Sequence, residues 1–72
     1  MQKISDRLLL LRKNLGLSQK EVAKGMELSI SSYQRYEYGF REPTSGTIIK
    51  FAEFFNVSAD YLLGLSDESA RR

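Results

Sequence analysis

The sequence contains no cysteine and no histidine. Without cysteine the chain can form neither a disulfide nor a thiolate metal site, and without histidine it lacks the commonest metal ligand and the usual general base. Zinc, haem and catalytic-triad chemistry therefore have no suitable side chains. We expect no metal, no cofactor and no catalytic residue, and we do not expect an enzyme.

Long apolar runs are also missing. The longest, Leu8 to Leu11, is far shorter than the roughly 18 residues that would cross a bilayer, and no secretory cleavage pattern follows it. We therefore expect a cytoplasmic protein without a membrane partner. No internal repeat, low-complexity tract or strand pattern is present, so the expected fold class is all-α.

The chain of 72 residues is enough for one domain, near the lower limit at which an apolar core alone gives marginal stability. We expect the folded domain to span residues 1–65. Residues 66–72 are polar and are expected to form a disordered tail. At this length we expect no separate ligand-sensing domain.

Charge is unevenly distributed, although the net charge is only +2. Residues 1–41 contain eight Lys or Arg against four Asp or Glu, whereas residues 42–70 contain one against five. A basic half of this kind would suit a polyanionic partner. The alternative explanation is an ordinary scatter of solvated charges.

Five segments carry the signals that start and stop short helices, namely a capping side chain, an apolar periodic stretch and a terminating residue. The expected N-caps are Ser5, Ser18, Ser29, Thr44 and Ser58. The expected ends lie near Gly16, Glu27, Gly39, Asn56 and Gly64. The clearest signal is at Ser18 and Glu21, which have the spacing of a capping box.

The second and third predicted helices form a helix-turn-helix. The third covers residues 29–38 and places Tyr33 and Tyr36 beside Leu28 on its inner face. Stacking of these two rings on exposed bases is an alternative, but the three-residue spacing favours the core. The outer face carries Ile30, Ser31, Gln34 and Arg35. A helix this short depends on the rest of the chain for support.

Several short stretches occur in an order that is typical of one family. They are Leu17-Ser18-Gln19, Ala23, Leu28-Ser29, Tyr36-Glu37, Gly39, Arg41-Glu42-Pro43, Val57-Ser58 and residues 61–64. Over about residues 4–64 the chain resembles the Cro/CI-type (XRE-like) helix-turn-helix repressors of phage and bacteria. The resemblance implies a compact five-helix, lambda-repressor-like domain that binds operator DNA as a homodimer on a palindromic site.

The resemblance also implies roles for individual residues. The positions that would read bases in the major groove are Ser29, Ile30, Ser31, Gln34 and Arg35. The loop from Tyr38 through Phe40 to Arg41 would contact the DNA backbone, and Gln19 would meet either a phosphate or the first residues of the third helix. Lys20 and Lys24, one turn apart, could follow the backbone or only face water.

Two further sets of residues follow from the same resemblance. An ion pair between Arg12 and Glu37 would tie the first helix to the end of the third, which gives Glu37 a structural role. Family dimers meet at the positions of Ala59, Tyr61 and Leu62. The residue types at the DNA-facing positions are suitable, because arginine can pair with guanine, glutamine with adenine, and isoleucine with a thymine methyl group.

Four positions depart from the family pattern. Glu27 stands where the turn usually has glycine, and a left-handed conformation there would cost about 1 to 2 kcal/mol. Tyr38 and Phe40 replace the usual asparagine and lysine. Tyr38 could donate its hydroxyl to a phosphate, and Phe40 could pack on a sugar or a partner, or fold back on the fourth helix. Phe54 replaces a small residue, which indicates extra packing or a stickier interface.

The sequence therefore favours sequence-specific binding of double-stranded DNA by a transcriptional regulator, with repression as the expected activity. The alternative is an antitoxin-like or adaptor module that binds a protein through exposed Phe40, Phe54 and Tyr61. For an enzyme, Glu37 and Glu42 are the carboxylates nearest to an aromatic surface, but no nucleophile or metal set accompanies them.

Overall fold

The computed structural model describes residues 3–70. Within that range it contains five α-helices and no strand, as predicted. The helices are α1 (Ile4–Asn14), α2 (Gln19–Gly25), α3 (Ile30–Glu37), α4 (Ser45–Phe55) and α5 (Ala59–Leu62). None of these helices has the length and apolar character needed to cross a membrane.

Side-chain caps begin four of the helices where the sequence predicts them. Ser18, Ser29, Thr44 and Ser58 each accept a hydrogen bond from the backbone N–H three residues later. At Ser18 the capping box is complete, because Glu21 Oε1 accepts the Ser18 backbone N–H at 2.9 Å. The starts of α2 to α5 are therefore set by local chemistry.

The predicted cap of α1 is wrong. Lys3 is the N-cap, and a carboxylate oxygen of Asp6 accepts the Lys3 backbone N–H at 3.3 Å. The negative charge of Asp6 also suits the positive end of the helix dipole. Ser5 consequently lies inside the first turn, where its hydroxyl faces Gly39 at the end of α3.

The turn between α2 and α3 contains a strained residue. Glu27 has a φ of 57°, in the left-handed region that a side chain occupies at a cost of about 1 to 2 kcal/mol. Asn56, which has a φ of 55°, ends α4 in the same conformation. The helix-turn-helix therefore keeps the geometry that glycine usually allows, although glutamate stands in its turn.

One apolar core lies between the helices. Its largest fully buried side chains are Tyr33, Phe51, Leu8, Leu62 and Val22. The rings of Tyr33 and Tyr36 meet the Phe51 ring edge-on, with centroids 6.1 and 5.6 Å apart. Both tyrosines thus belong to the core, as predicted, and are not available to stack on bases.

Phe54 also packs inside the domain. A Cβ atom added to Gly25 at the end of α2 would overlap the Phe54 ring. The same ring lies edge-on to Phe55, with centroids 5.0 Å apart. The large residue at position 54 therefore provides extra packing between α4 and α2, and Gly25 supplies the space for it.

The polar segment that follows α5 turns back onto the domain. The backbone N–H of Ser58 donates to the Ser69 carbonyl at 3.0 Å, and Arg7 pairs with Asp67 at 2.9 Å. These contacts differ from the prediction of a disordered tail. A local sequence pattern does not reveal them, because the two partners lie up to 60 residues apart in sequence. Residues 71–72 lie outside the described residues, and the predicted domain boundary stays a prediction.

Candidate nucleic-acid interface

A tight turn of residues 26–29 joins α2 to α3. The Leu28 backbone N–H donates to the Ala23 carbonyl at 2.8 Å, and the Glu27 N–H donates to the Lys24 carbonyl at 3.1 Å. The turn begins α3 directly at the Ser29 cap. The two helices therefore pack against each other through a short hydrogen-bonded turn, with the inner side of α3 buried in the core.

The outer side of α3 faces solvent. Ile30 is 43% exposed, Ser31 and Arg35 are exposed, and Gln34 is half-buried. Ser29 differs from these four, because its hydroxyl accepts the Ser32 backbone N–H at 3.1 Å and is engaged in capping. The residues predicted to read bases thus share the start and the outer side of one helix. Their contact with bases stays a prediction.

Cations on neighbouring elements accompany this face. Lys20 and Lys24 are exposed on α2, and Arg41 is exposed in the loop after α3. The Arg41 guanidinium carbon lies 5.5 Å from the Tyr36 ring centroid, and its backbone N–H donates to the Arg35 carbonyl at 3.2 Å. The loop is thereby held against α3, and its charge is available to a polyanion.

Two aromatic rings project from the same loop. Phe40 is 81% exposed and Tyr38 is 55% exposed. Their rings meet edge-on with centroids 6.3 Å apart. Phe40 therefore does not fold back on α4. Its contact with a sugar or a partner chain stays a prediction.

The predicted ion pair between Arg12 and Glu37 is present. Arg12 Nη2 lies 2.8 Å and Nε 3.0 Å from Glu37 Oε1. The Glu37 side chain is 1% exposed and that of Arg12 is 15% exposed. The hydrogen bonds to Glu37 raise the pKa of the Arg12 guanidinium. Glu37 thus ties α1 to the last turn of α3.

The side-chain amide of Gln19 joins this pair to the outer face of α3. Gln19 Nε2 donates to Glu37 Oε2 and to the Tyr38 hydroxyl, both at 3.0 Å. Gln19 Oε1 accepts from Gln34 Nε2, also at 3.0 Å. Of the two contacts expected for Gln19, the one with the first residues of α3 is absent, because its partners belong to the second half of the helix and its C-cap. The contact of Gln19 with a phosphate stays a prediction. The residue pattern contained no signal for this link.

The Tyr33 hydroxyl is buried on the inner side of α3. It has no hydrogen-bond partner among the described residues. Burial raises the pKa of the Tyr33 phenol, and the negative charge of Glu37 raises it further. The phenol therefore remains neutral at ordinary pH.

The residues predicted to form a dimer contact lie mostly in the core. Tyr61 is 7% exposed and Leu62 is 0% exposed, so their side chains have almost no surface to offer. Only Ala59 of the three is half-buried. The exposed apolar side chains at this end are Leu63, at 42%, and Leu65, at 68%. The interface assigned to Tyr61 and Leu62 is therefore corrected, because packing against α1 and α4 takes those side chains.

The two carboxylates noted for an enzyme lie in different environments. Glu37 is buried against Arg12, whereas Glu42 is exposed. Among residues 3–70, no group of three or more acidic side chains is placed to hold a metal ion.

Comparison with known proteins supplies the family. A family model described as helix-turn-helix matches residues 8–62. The chain belongs to this helix-turn-helix family, and its relatives place it in the Cro/CI (XRE) type. The match runs from α1 to α5, so it covers the whole arrangement around α3.

The curated relatives of this family member are regulators. The HTH-type transcriptional regulator ImmR of Bacillus subtilis is 34% identical over 68 residues, which cover 94% of this chain and 54% of ImmR. The cryptic phage CTXphi transcriptional repressor RstR of Vibrio cholerae is 36% identical over 62 residues, covering 86% of this chain and 55% of RstR. The chain spans about half the length of these relatives.

Solved structures confirm the all-α helix-turn-helix fold. The P22 c2 repressor, determined in complex with synthetic operator 9T, matches with a TM-score of 0.80 at 25% identity, covering 88% of this chain and 96% of that chain. A transcriptional regulator from Listeria innocua also matches with a TM-score of 0.80, at 24% identity, covering 97% of this chain and 65% of that chain. The second likeness shows the fold alone.

Proposed function

We propose that this helix-turn-helix chain acts as a transcriptional repressor by binding double-stranded DNA sequence-specifically, with α3 in the major groove. The observation that carries the proposal is the asymmetry of α3. Its inner side is buried through Tyr33 and Tyr36, while Ile30, Ser31 and Arg35 on its outer side are exposed. The P22 c2 repressor, which has this fold, was determined in complex with synthetic operator 9T. A cytoplasmic location goes with the proposal, because bacterial and phage DNA lie there.

The outer side chains of α3 supply different chemistry for reading bases. Arg35 can donate two hydrogen bonds to guanine O6 and N7, and Ile30 can cover a thymine methyl group. Ser31 is short and lets the helix approach the base edges. Ser29, whose hydroxyl caps α3, contributes in the same way through its small size. Gln34 offers a side-chain amide, which can pair with adenine N6 and N7.

The DNA backbone is contacted from α2 and from the loop after α3. Lys20 and Lys24 are exposed one turn apart and can each neutralise a phosphate, as can Arg41. Tyr38 has a hydroxyl hydrogen that can reach a phosphate oxygen, because its oxygen already accepts from Gln19. Phe40 replaces a cation with a ring, and it can pack on a deoxyribose.

Selection of bound sites from random duplexes at about 0.15 M salt tests the proposal, since affinities depend steeply on salt. We expect enrichment of one preferred base sequence arranged as a palindrome. A scrambled duplex of the same composition should bind more weakly and with a similar salt dependence. Binding without any preferred word would refute sequence-specific repression.

We also propose that the chain forms a homodimer on a palindromic operator. Two-fold symmetry would place the same surface of two copies together. Since Tyr61 and Leu62 are buried, exposed Leu63 and Leu65 at the end of α5 are the better candidates for that surface. Light scattering should show a dimer on a duplex with two half-sites. A monomer in the free state and on that duplex would refute the dimer.

The adaptor or antitoxin alternative retains one supporting observation. Phe40 is 81% exposed, but Phe54 is half-buried and Tyr61 is buried, so the proposed aromatic trio is reduced to one ring. Co-expression with the product of the neighbouring gene would test this alternative. A complex that Phe40→Ser abolishes, while the preferred DNA word is unchanged, would favour the adaptor function in addition to DNA binding.

A further inference from the structure

We infer that buried Glu37 sets the hydrogen-bonding polarity of the DNA-facing side of α3 through Gln19, so that Gln34 selects adenine over guanine. The inference rests on the proposed function. It names a specificity-determining role for two residues, Glu37 and Gln19, that touch no base. One chain of hydrogen bonds runs from Glu37 in the core through Gln19 to Gln34 at the surface.

This chain of hydrogen bonds starts at the Glu37 carboxylate, which can only accept hydrogen bonds. Glu37 carries its charge against Arg12, which donates to both carboxylate oxygens, at 3.0 Å to Oε1 and 3.2 Å to Oε2. An ionised carboxylate has no hydrogen to donate. Whatever lies against Glu37 Oε2 must therefore present an N–H or an O–H. Gln19 lies there at 3.0 Å, so its nitrogen and not its oxygen must face Glu37.

The orientation of Gln19 then determines that of Gln34. The two amide hydrogens of Gln19 are used by Glu37 and by the Tyr38 hydroxyl oxygen. Its Oε1 is left to face Gln34 and can only accept. Gln34 must consequently turn its nitrogen toward Gln19, as the 3.0 Å distance between Gln34 Nε2 and Gln19 Oε1 indicates.

Two groups of Gln34 remain for a partner. They are its Oε1 and one N–H, since no other hydrogen bond to this side chain occurs within residues 3–70. Adenine offers the matching pair in the major groove, an N6 amino donor and an N7 acceptor. A reversed Gln34 amide would present two N–H groups, which match the O6 and N7 acceptors of guanine. Glu37 excludes that reversed orientation.

The same hydrogen-bond chain also ends at the Tyr38 hydroxyl, which accepts from Gln19. Because the Tyr38 oxygen accepts from Gln19, the hydroxyl hydrogen must find an acceptor elsewhere. Phosphate oxygens are acceptors of this kind. Tyr38 therefore serves affinity for any sequence, whereas Gln34 serves the choice of base. The contributions of Tyr38 and Gln34 can be distinguished by mutation.

The experiment compares sites selected from random duplexes by the wild type, Gln34→Ala, Gln19→Met and Tyr38→Phe. Gln34→Ala identifies the base position that Gln34 contacts. At that position we expect the wild type to prefer adenine over guanine by about fivefold or more. Gln19→Met removes the hydrogen bonds that link Glu37 to Gln34, here called the relay, but keeps the length of the side chain. It should reduce this preference below about twofold. Tyr38→Phe should keep the preference and weaken binding to all words alike.

Side-chain amide NMR of the free protein gives a readout without DNA. The Gln34 amide hydrogen that donates to Gln19 should exchange slowly in the wild type and in Tyr38→Phe, and faster in Gln19→Met. Gln19→Met keeps the pair between Arg12 and Glu37, so we expect it to fold. If it does not, guanine opposite Gln34 in wild-type sites, or fast exchange of the hydrogen-bonded Gln34 amide hydrogen in the wild type, would still overturn the inference.

The outcomes separate this inference from the proposed function. Guanine or thymine at the Gln34 position, or an unchanged adenine preference in Gln19→Met, would overturn the relay and leave sequence-specific binding intact. The absence of any preferred word would overturn both. Adenine at that position, lost in Gln19→Met and kept in Tyr38→Phe, would support the relay.

Discussion

The two ends of α3 are held in opposite ways. The last turn is tied to α1 and α2 through Glu37, whose side chain is 1% exposed and contacts both Arg12 and Gln19. The first turn is exposed at Ile30 and Ser31 and is held by the Ser29 cap. The buried, charge-paired end gives the helix its position, and the exposed end leaves polar and apolar groups free for a partner.

This division suits a helix of eight residues. Such a short helix is unstable alone in water, so tertiary contacts must hold it. One firmly bound end, together with the buried rings of Tyr33 and Tyr36, is sufficient to orient the whole segment. The exposed serine hydroxyls at the other end are solvated at little cost. Mutations at the two ends should therefore have different effects.

The largest effect is expected at the anchored end. Glu37→Ala leaves Arg12 partly buried without its partner, and should lower the free energy of unfolding by roughly 3 to 5 kcal/mol. Urea denaturation measures this loss. Glu42→Ala, at an exposed position, is the matched control and should change stability by less than about 0.5 kcal/mol. A loss at Glu37 as small as at Glu42 would remove the contrast between the two ends.

Arg35 lies in the last turn but on the exposed face of α3, and its replacement should act on DNA binding. Arg35→Ala should cost about 1 to 3 kcal/mol at one base pair of each half-site. Lys20→Ala should instead weaken all sequences alike and reduce the salt slope by about 1. Titrations against selected and random duplexes at several salt concentrations distinguish the two. Equal losses on both duplexes for Arg35→Ala would contradict its role as a base reader.

A smaller effect on stability is expected at the start of α3. Ser29→Ala removes the oxygen that accepts the Ser32 backbone N–H, and should cost about 1 kcal/mol. Ser31→Ala, in the same exposed turn, should cost less than about 0.5 kcal/mol. Thermal and urea unfolding of both variants measure the difference. A Ser29→Ala loss as large as that of Glu37→Ala would show that the first turn is as strongly anchored as the last.

The smallest effect at neutral pH is expected at Tyr33, whose buried hydroxyl lacks a partner. Tyr33→Phe should leave stability unchanged or raise it by about 1 kcal/mol, because an unsatisfied buried donor is removed. The folded-state pKa of Tyr33 is raised above its usual value of 10.0. Ionisation of Tyr33 therefore does not affect the free energy of unfolding below pH 10. It lowers that free energy as pH rises further, because the unfolded phenol ionises first. Between pH 7 and 11 the free energy of unfolding should fall less steeply for Tyr33→Phe than for the wild type. An identical pH dependence for the two proteins would contradict this.

Short-range signals explain which parts of the fold were predictable. Ser18, Ser29, Thr44 and Ser58 were identified as caps because each bonds to a backbone group three residues away. Ser5 failed because Asp6 offers a competing acceptor one residue later, and a local pattern does not rank the two.

The candidate site was predictable by face but not by contact. Periodicity placed Tyr33 inside and Arg35 outside, and both positions agree with the structure. The partners of Gln19 were not predictable, because they depend on where the first turn of α2 meets the last turn of α3. Burial of Leu62 and the return of Asp67 to Arg7 are of the same kind.

The sequence by itself determined the five helices, the two faces of α3, the basic character of the first 41 residues, and the lack of cysteine and histidine ligands. Only the tertiary structure decided that Glu37 reaches Gln34 through Gln19, that Phe40 is exposed, and that Tyr61 and Leu62 are not. The physical reason is range: capping and periodicity act within a few residues of the chain, whereas burial and hydrogen-bond polarity depend on groups brought together from distant positions.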